Sequence, residues 1–382
     1  MSKILEPLGD QRHLFDLPED VLYFNMAAQG PAPIAAAEAG VRAVGRKRCP
    51  WDPERQKLAA EMDQSRELFA GLIGAEGRDI ALTTATSYAT AVVANNVKLE
   101  PGQEILVLEA QFPSNYYVWQ KVAKRDDATV IAVPRLENGD WTSAVLERIT
   151  ERTGLVSLPN VHWTDGGMIE LTAVSKAIHA VGALFVVDAT QSVGALPFDV
   201  KVLDPDFVAV SAYKWLLSSD QSGYLYVAPR HQNGIPIEDN HATRKSEASM
   251  DTSAGYGDAY ADGARRFDQG AADTMIHVPM AVEAMRQIAE WTPERIAASL
   301  EPLVDRIAAL SEERGWRVPP KAHRSPHFIG ALPAAVPEGF MAKTASAKCY
   351  ISLRANNIRI SPYLFNRDEE VDRLFQILDE IF

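Results

Sequence analysis

An acid and a lysine hold the most chemistry in this 382-residue sequence. Asp188 closes the apolar run Phe185-Val186-Val187, and Lys214 follows Ser211-Ala212-Tyr213 directly after a second run, Phe207 to Val210. Both runs are short, continuous and Val-rich rather than alternating, the pattern of strands buried on both faces of a parallel sheet. The two side chains therefore stand just past the carboxyl ends of two strands, where open α/β sheets build ligand sites. An amine and a carboxylate so placed are what pyridoxal phosphate needs. The amine forms a Schiff base, and the carboxylate keeps the pyridine nitrogen protonated so that the ring accepts electrons. Gln191, Ser211 and Tyr213 flank the pair and are expected to touch the same cofactor.

Other stretches serve that pair. Ala81-Leu82-Thr83-Thr84 reads as a strand that gives way to Ala85-Thr86-Ser87 at the start of a helix through Asn95. Free backbone N–H groups, the positive dipole end and the hydroxyls of Thr86 and Ser87 converge there, so a phosphate is expected at that point. Asn25 to Pro31, with small residues and a Gly-Pro, suits a tight loop close to something else. Ile105 to Leu108, Val130 to Val133, Leu155 to Leu158 and Tyr224 to Val227 read as further strands.

VVDATQSVG, SAYKW and, near the end, IRISPYLFN resemble the class V aminotransferase group of fold-type I enzymes. That group includes cysteine desulfurases, selenocysteine lyases, isopenicillin N epimerase-like proteins and kynureninase. The resemblance implies an α/β fold: a large cofactor domain with a mostly parallel, seven-stranded-type sheet between helices, and a small α+β domain. It also implies Phe112, in QFPSNYY, as the ring stacked on the pyridine, with Asn115 where kynureninase has an acid. Asn160 would lie near the cofactor's phenolic oxygen, and the Ala28-Gln29 loop would pass the substrate face. Arg359 would clamp the α-carboxylate of an α-amino acid, a bidentate task suited to a guanidinium. The resemblance further implies a homodimer with the site at its interface, crossed by the Arg265 to Ala271 segment. Relatives often have threonine where this chain has Ala271.

Length sets two domains as the expectation, since one core stops growing below 382 residues. Residues 25–290 form the large domain, and 1–24 with 291–382 the small one. Thr292-Pro293-Glu294 starts a helix with Ile296, Leu300, Val304 and Ile307 on one face. The alternating segments around Ile351 and Ile358 predict a small antiparallel sheet, and Glu369 to Ile381 a last helix. Glu238 to Gly263 reads as a long surface loop.

Composition removes several function classes. A net charge of −13 and a pI near 5.2 argue against nucleic acid or an anionic membrane as partner. Cys49 and Cys349 give neither a disulfide framework nor a zinc spacing, so no metal is expected. No segment has the apolar length of a signal peptide or a membrane span, which points to the cytoplasm.

The reaction class follows partly from the resemblance. Desulfurases that store sulfur on themselves have a cysteine about fifteen residues before the carboxylate-binding arginine, where this chain has Thr344. Cys349, inside a strand-like run, reads as a structural thiol. The expected activity is a lyase that cleaves a C–S or C–Se β-substituent through a quinonoid intermediate. An aminotransferase, an epimerase and a non-catalytic binding protein of the same fold are the alternatives. His162 is given no catalytic role.

Overall fold

A computed structural model describes residues 6–51, 53–245 and 258–382. At its centre is a sheet of β1 (Ile80–Thr83), β2 (Glu104–Leu108), β3 (Thr129–Val133), β4 (Thr153–Pro159), β5 (Leu184–Asp188), β6 (Phe207–Ser211) and β7 (Gly223–Val227). Their order in space is β1-β7-β6-β5-β4-β2-β3. Neighbours from β6 to β3 run parallel, as the two Val-rich runs led us to expect, with Val187 opposite Val208 and Asp188 opposite Ala209. β7 is antiparallel to both β6 and β1. The chain between β6 and β7 holds no crossover helix, and Ala212 N–H donates to the Ser222 carbonyl as the two strands part (2.8 Å).

The inner strands of the sheet are mostly apolar because both of their faces are covered. Phe185 and Val187 pack into one core, and Val186, between them, into the other. The first core includes side chains of α1 (Ile34–Arg48) and α2 (Lys57–Ile73), the second those of α3 (Thr86–Asn96) and α4 (Ser114–Asp126). With alternation along a strand, burial on both sides leaves no polar period to read.

A third core joins Leu22 and Phe24 to residues from the last eighty positions. Its sheet is β8 (Ile329–Ala331), β9 (Ser352–Arg354) and β10 (Asn357–Ile360), antiparallel in the order β9-β10-β8. Leu22–Tyr23 instead pairs in parallel with Cys349–Tyr350. The long helix α5 (Pro293–Glu313) bridges two cores: Ile296 and Leu300 pack with the central sheet, Val304 and Ile307 with the third core. The final helix, α6 (Asp368–Ile381), adds Val371, Leu374, Phe375 and Leu378.

The segment 238–263 lies partly outside the described residues; its described ends meet in an Arg244–Tyr260 bridge. Beyond it, Asp268 is pinned beneath the sheet edge. Arg66 of α2 donates to both carboxylate oxygens of Asp268 (3.0 and 2.5 Å) and to the Ile80 carbonyl (2.7 Å), while Leu82 N–H donates to Asp268 (2.9 Å). Both side chains are almost fully buried. Removing one member of such a pair strands the other charge, so Arg66→Met should lower stability by about 3–5 kcal/mol. A denaturant midpoint equal to that of the unaltered protein would contradict this account.

Candidate active site

Asp188 and Lys214 open on one cavity of about 190 Å³ at the carboxyl ends of β5 and β6. Lys214 is buried and Asp188 partly so, yet no ion pair joins either of them to another described residue. Burial pushes the Asp188 carboxyl up, against the hydrogen bonds from Thr190, the charge of Lys214 and the hydrogen bond from Asn115. Thr190 N–H donates to one carboxylate oxygen (3.0 Å) and the Asn115 amide to the other (2.5 Å). Burial, and then the charge of Arg359, lower Lys214 to about 8, with Asp188 opposing. The Lys214 amine stands 5.8 Å from the Phe112 ring centre and 5.6 Å from that of Tyr213.

The lysine is fixed from behind. Gly30 N–H donates to the Tyr213 carbonyl (2.9 Å), and a Cβ on Gly30 would lie 2.2 Å from the Lys214 carbonyl oxygen. Only glycine permits that approach. Gln191 borders the cavity, but its amide is already engaged: it donates to Ala27 O (3.0 Å) and accepts from Trp215 Nε1 (2.9 Å). It thereby ties the Asn25–Gly30 loop to the turn after Lys214. Ala28 and Gln29, expected at the substrate face, do not border the cavity; the Gln29 amide donates outward to the Asp220 carboxylate (3.3 Å).

At the opposite end α3 is preceded by Ala85, which provides no side-chain cap, so the helix start depends on other groups. Thr86 N–H donates to Ser211 Oγ (3.0 Å), and the Thr86 hydroxyl meets those of Thr190 (2.8 Å) and Ser211 (2.9 Å). Ser211 N–H in turn donates to Thr190 Oγ1 (3.1 Å). Ser87 borders the same space. A helix N-terminus with three clustered hydroxyls suits a phosphate.

Asn160, expected near the cofactor's phenolic oxygen, sits beside the cavity rather than among its lining residues. Its neighbours Pro159 and Val161 border the Lys214 cavity, but Asn160 lines a groove of about 760 Å³ shared with α2 and the start of α5. There its Oδ1 is buried without a partner. Successive side chains at the end of an extended strand point to opposite sides, and the sequence alone does not say which side faces the lysine.

The loop after β4 delivers Trp163 instead. The indole lies edge-on to Phe112 (centroids 5.3 Å) and donates to Ala110 O (2.8 Å). The Trp163 carbonyl accepts from Arg359 Nη1 (2.7 Å), and Arg359 Nε donates to Ser352 Oγ (3.1 Å). No described carboxylate pairs with Arg359, and burial followed by the charge of Arg354 disfavours its charged form. An arriving carboxylate would relieve that cost. His162 is held by Thr164 Oγ1 (2.8 Å) and Glu109 O (3.1 Å) and stacks on Trp141, a structural placement.

Sequence reasoning missed Thr190, Trp163 and Asn115 as parts of the site. Thr190, two residues after Asp188, had a local signal in the turn that an Asp side chain makes with the N–H two positions on. Asn115 had none, because its reach to Asp188 spans two strand ends. The donor set fits pyridoxal phosphate. A carboxyl and an amine without ion-pair partners among the described residues, an aromatic face and a hydroxyl-lined helix start are the four contacts such a group makes good.

A family model described as aminotransferase class-V matches residues 52–330. Isopenicillin N epimerase of Streptomyces clavuligerus is 28% identical over 386 aligned residues, covering 96% of this chain and 96% of that protein. The uncharacterized aminotransferase YcbU of Bacillus subtilis (strain 168) is 26% identical over 310 residues, 80% of each chain. The solved complex of the cystine C–S lyase C-DES with its product cysteine persulfide superposes with a TM-score of 0.85 at 19% identity, covering 94% of this chain and 98% of that one. At that identity the likeness speaks for the fold alone.

In cofactor-free protein, only the neutral Lys214 amine reacts with an acylating reagent. Its labelling should therefore rise with pH through a midpoint of about 8, far below the usual lysine value. Arg359→Met removes a repelling positive charge and should move that midpoint upward. Peptide-resolved competitive labelling measures both, and a midpoint near 10.4, the ordinary lysine value, would contradict the pocket's electrostatics.

Proposed function

This chain belongs to the aminotransferase class-V family of pyridoxal phosphate enzymes acting on amino acids, and from that premise we propose that it is a lyase. The bond broken is between Cβ and a sulfur or selenium substituent of an α-amino acid. Lys214, Asp188, Phe112, Tyr213, Ser211, Thr86 and Ser87 would hold the cofactor. When bound, pyridoxal phosphate supplies the electron sink that lets a proton leave Cα.

The chain's own residues do the rest. Asp188, oriented by Asn115 and Thr190, would hold a proton at the ring nitrogen. Lys214, lowered to about 8 by burial and Arg359, is partly neutral near pH 7 and takes the Cα proton as a general base. Arg359 fixes the α-carboxylate, which leaves the Cβ bond as the remaining freedom of the bound substrate. The electrons of the Cα–H bond form the Cα–Cβ double bond, and those of the Cβ–S bond leave on sulfur. Water then releases pyruvate and ammonia.

The observation that supports a lyase rather than a desulfurase storing sulfur on itself is the state of Cys349. The thiol is buried in a strand, and burial pushes it up to about 12. A thiol so placed presents no thiolate to accept sulfur, so the fragment departs to solvent.

A second reading is epimerisation, favoured by the full-length match to isopenicillin N epimerase. It needs a second proton donor, and Tyr213 is the cavity group available, its phenol raised by burial and then by the charge of Asp188. The proposal also includes a cytoplasmic setting, in keeping with two free cysteines. It includes a homodimer, as the likeness of the Arg265–Ala271 segment to the stretch that crosses the interface in fold-type I enzymes implies. Sedimentation of an active monomer would refute the dimer.

Incubation of holoenzyme with cystine or S-substituted cysteines, without any keto acid, should release pyruvate, ammonia and the β-fragment in equal amounts. A keto acid formed only when an acceptor keto acid is supplied would mean an aminotransferase. Inversion at Cα without fragment release, lost in Tyr213→Phe, would mean an epimerase. Asp188→Asn should retain cofactor but lose about three orders of magnitude in turnover, because an amide cannot hold the pyridinium proton. Near-normal turnover in that variant would remove Asp188 from the mechanism.

A further inference from the structure

The β9–β10 hairpin holds a second guanidinium beside Arg359. Its register pairs Ser352 with Arg359 and Arg354 with Asn357, and alternation puts these four side chains on one face. Arg354 is thus the diagonal neighbour of Arg359, at a separation of roughly 7–8 Å between backbones. The two-residue turn Ala355-Asn356, with φ of 49° and 66°, fixes that register. This face is turned to the active site, because Arg359 reaches the carbonyl of Trp163, a residue bordering the Lys214 cavity.

Arg354 Nη1 donates to the Leu353 carbonyl (2.9 Å), and among the described residues no carboxylate comes within ion-pair distance of Arg354 or Arg359. The chain does not lack acids, with 51 against 38 lysines and arginines. Arg306, Arg314 and Arg324 are each matched to an aspartate. Like charges facing each other across a strand pair repel. The charge of Arg354 disfavours the charged forms of both Arg359 and Lys214, as expected of a cation at the same site.

We propose that Arg354 reads a second anionic group at the far end of the substrate's side chain. The amino acid would then be a dianion, its α-carboxylate on Arg359 and a side-chain carboxylate or oxidised-sulfur acid on Arg354. This rests on the reading of Arg359 as the α-carboxylate clamp. One anion between two guanidiniums would leave one of them unmatched, whereas a dianion answers both. Arg354 is only partly buried, at the tip of the hairpin, where the outer end of a side chain would lie.

The test is binding to holoenzyme, followed by the visible absorption of the bound cofactor. L-Aspartate, L-glutamate and L-cysteine sulfinate are compared with the neutral L-asparagine, L-glutamine and S-methyl-L-cysteine. At low salt at least one acid should bind about tenfold or more tightly than its neutral counterpart, the range of a charge-assisted bond. Arg354→Gln should reduce that ratio to within about twofold, and Arg354→Lys should restore part of it, since the charge returns without the fork. Preference for the carboxylates or for the sulfinate identifies which acid is read. Arg359→Ala should instead weaken acids and neutral compounds alike.

Equal binding of acids and neutral counterparts by the unaltered enzyme would overturn the proposal, as would an Arg354→Gln variant that keeps the full ratio. A preference for acids without release of a β-fragment would sink the lyase reading and leave Arg354 its role. Fragment release without any such preference would do the reverse.

Discussion

Two ionisable groups share one pocket without forming an ion pair, and much of the surrounding structure holds them apart. Among the described residues neither Asp188 nor Lys214 has an ion-pair partner, and for both burial is the largest influence on protonation. Buried charges without partners are costly. A fold tolerates that cost where a bound group completes the electrostatics, which is why perturbed groups gather at functional sites. The parallel β5–β6 pair sets the spacing, Asn115 and Thr190 orient the acid, and Gly30 presses on the backbone of the lysine.

Substrate recognition depends on a different device. The loop after β4 is sewn to the third core by backbone bonds: Ser325 N–H to Gly166 O (2.8 Å), Gly330 N–H to Asp165 O (2.9 Å) and Met168 N–H to His323 O (2.8 Å). Gly166 has a φ of 77°, and a Cβ there would lie 2.4 Å from the Phe328 carbonyl. Asp165 is buried between Arg135 and His162 and anchors the loop from within. Burial alone would raise its carboxyl, but His162 and then Arg135 bring it down to about 2. Trp163 and Arg359 are thereby tied together, and the guanidinium proposed to clamp a carboxylate is anchored beside the cavity.

Strong local patterns made part of this legible in the sequence. Two continuous Val-rich runs, each ending at a chemically active residue, are readable because burial on both faces removes polar alternation. The helix start at Thr86 follows from its hydroxyls and its place after a strand. The antiparallel sense of β7 was not written in its apolar run, since direction comes from how the chain returns after Ser211. Asn160 shows a sharper limit: one residue of phase at a strand end decides between the cavity and the neighbouring groove.

The sequence by itself determined the chemistry available: a lysine and an acid at strand ends, a helix start rich in hydroxyls, a late arginine and no usable thiol near it. Those are properties of residue type and short-range order. Only the tertiary structure decided which of them meet, because the contacts that define the pocket, Asn115 with Asp188, Gln191 with Ala27 and Trp215, and Arg359 with Trp163, join residues from 24 to 196 positions apart. Such distances are closed by sheet order and core packing, which no local pattern encodes.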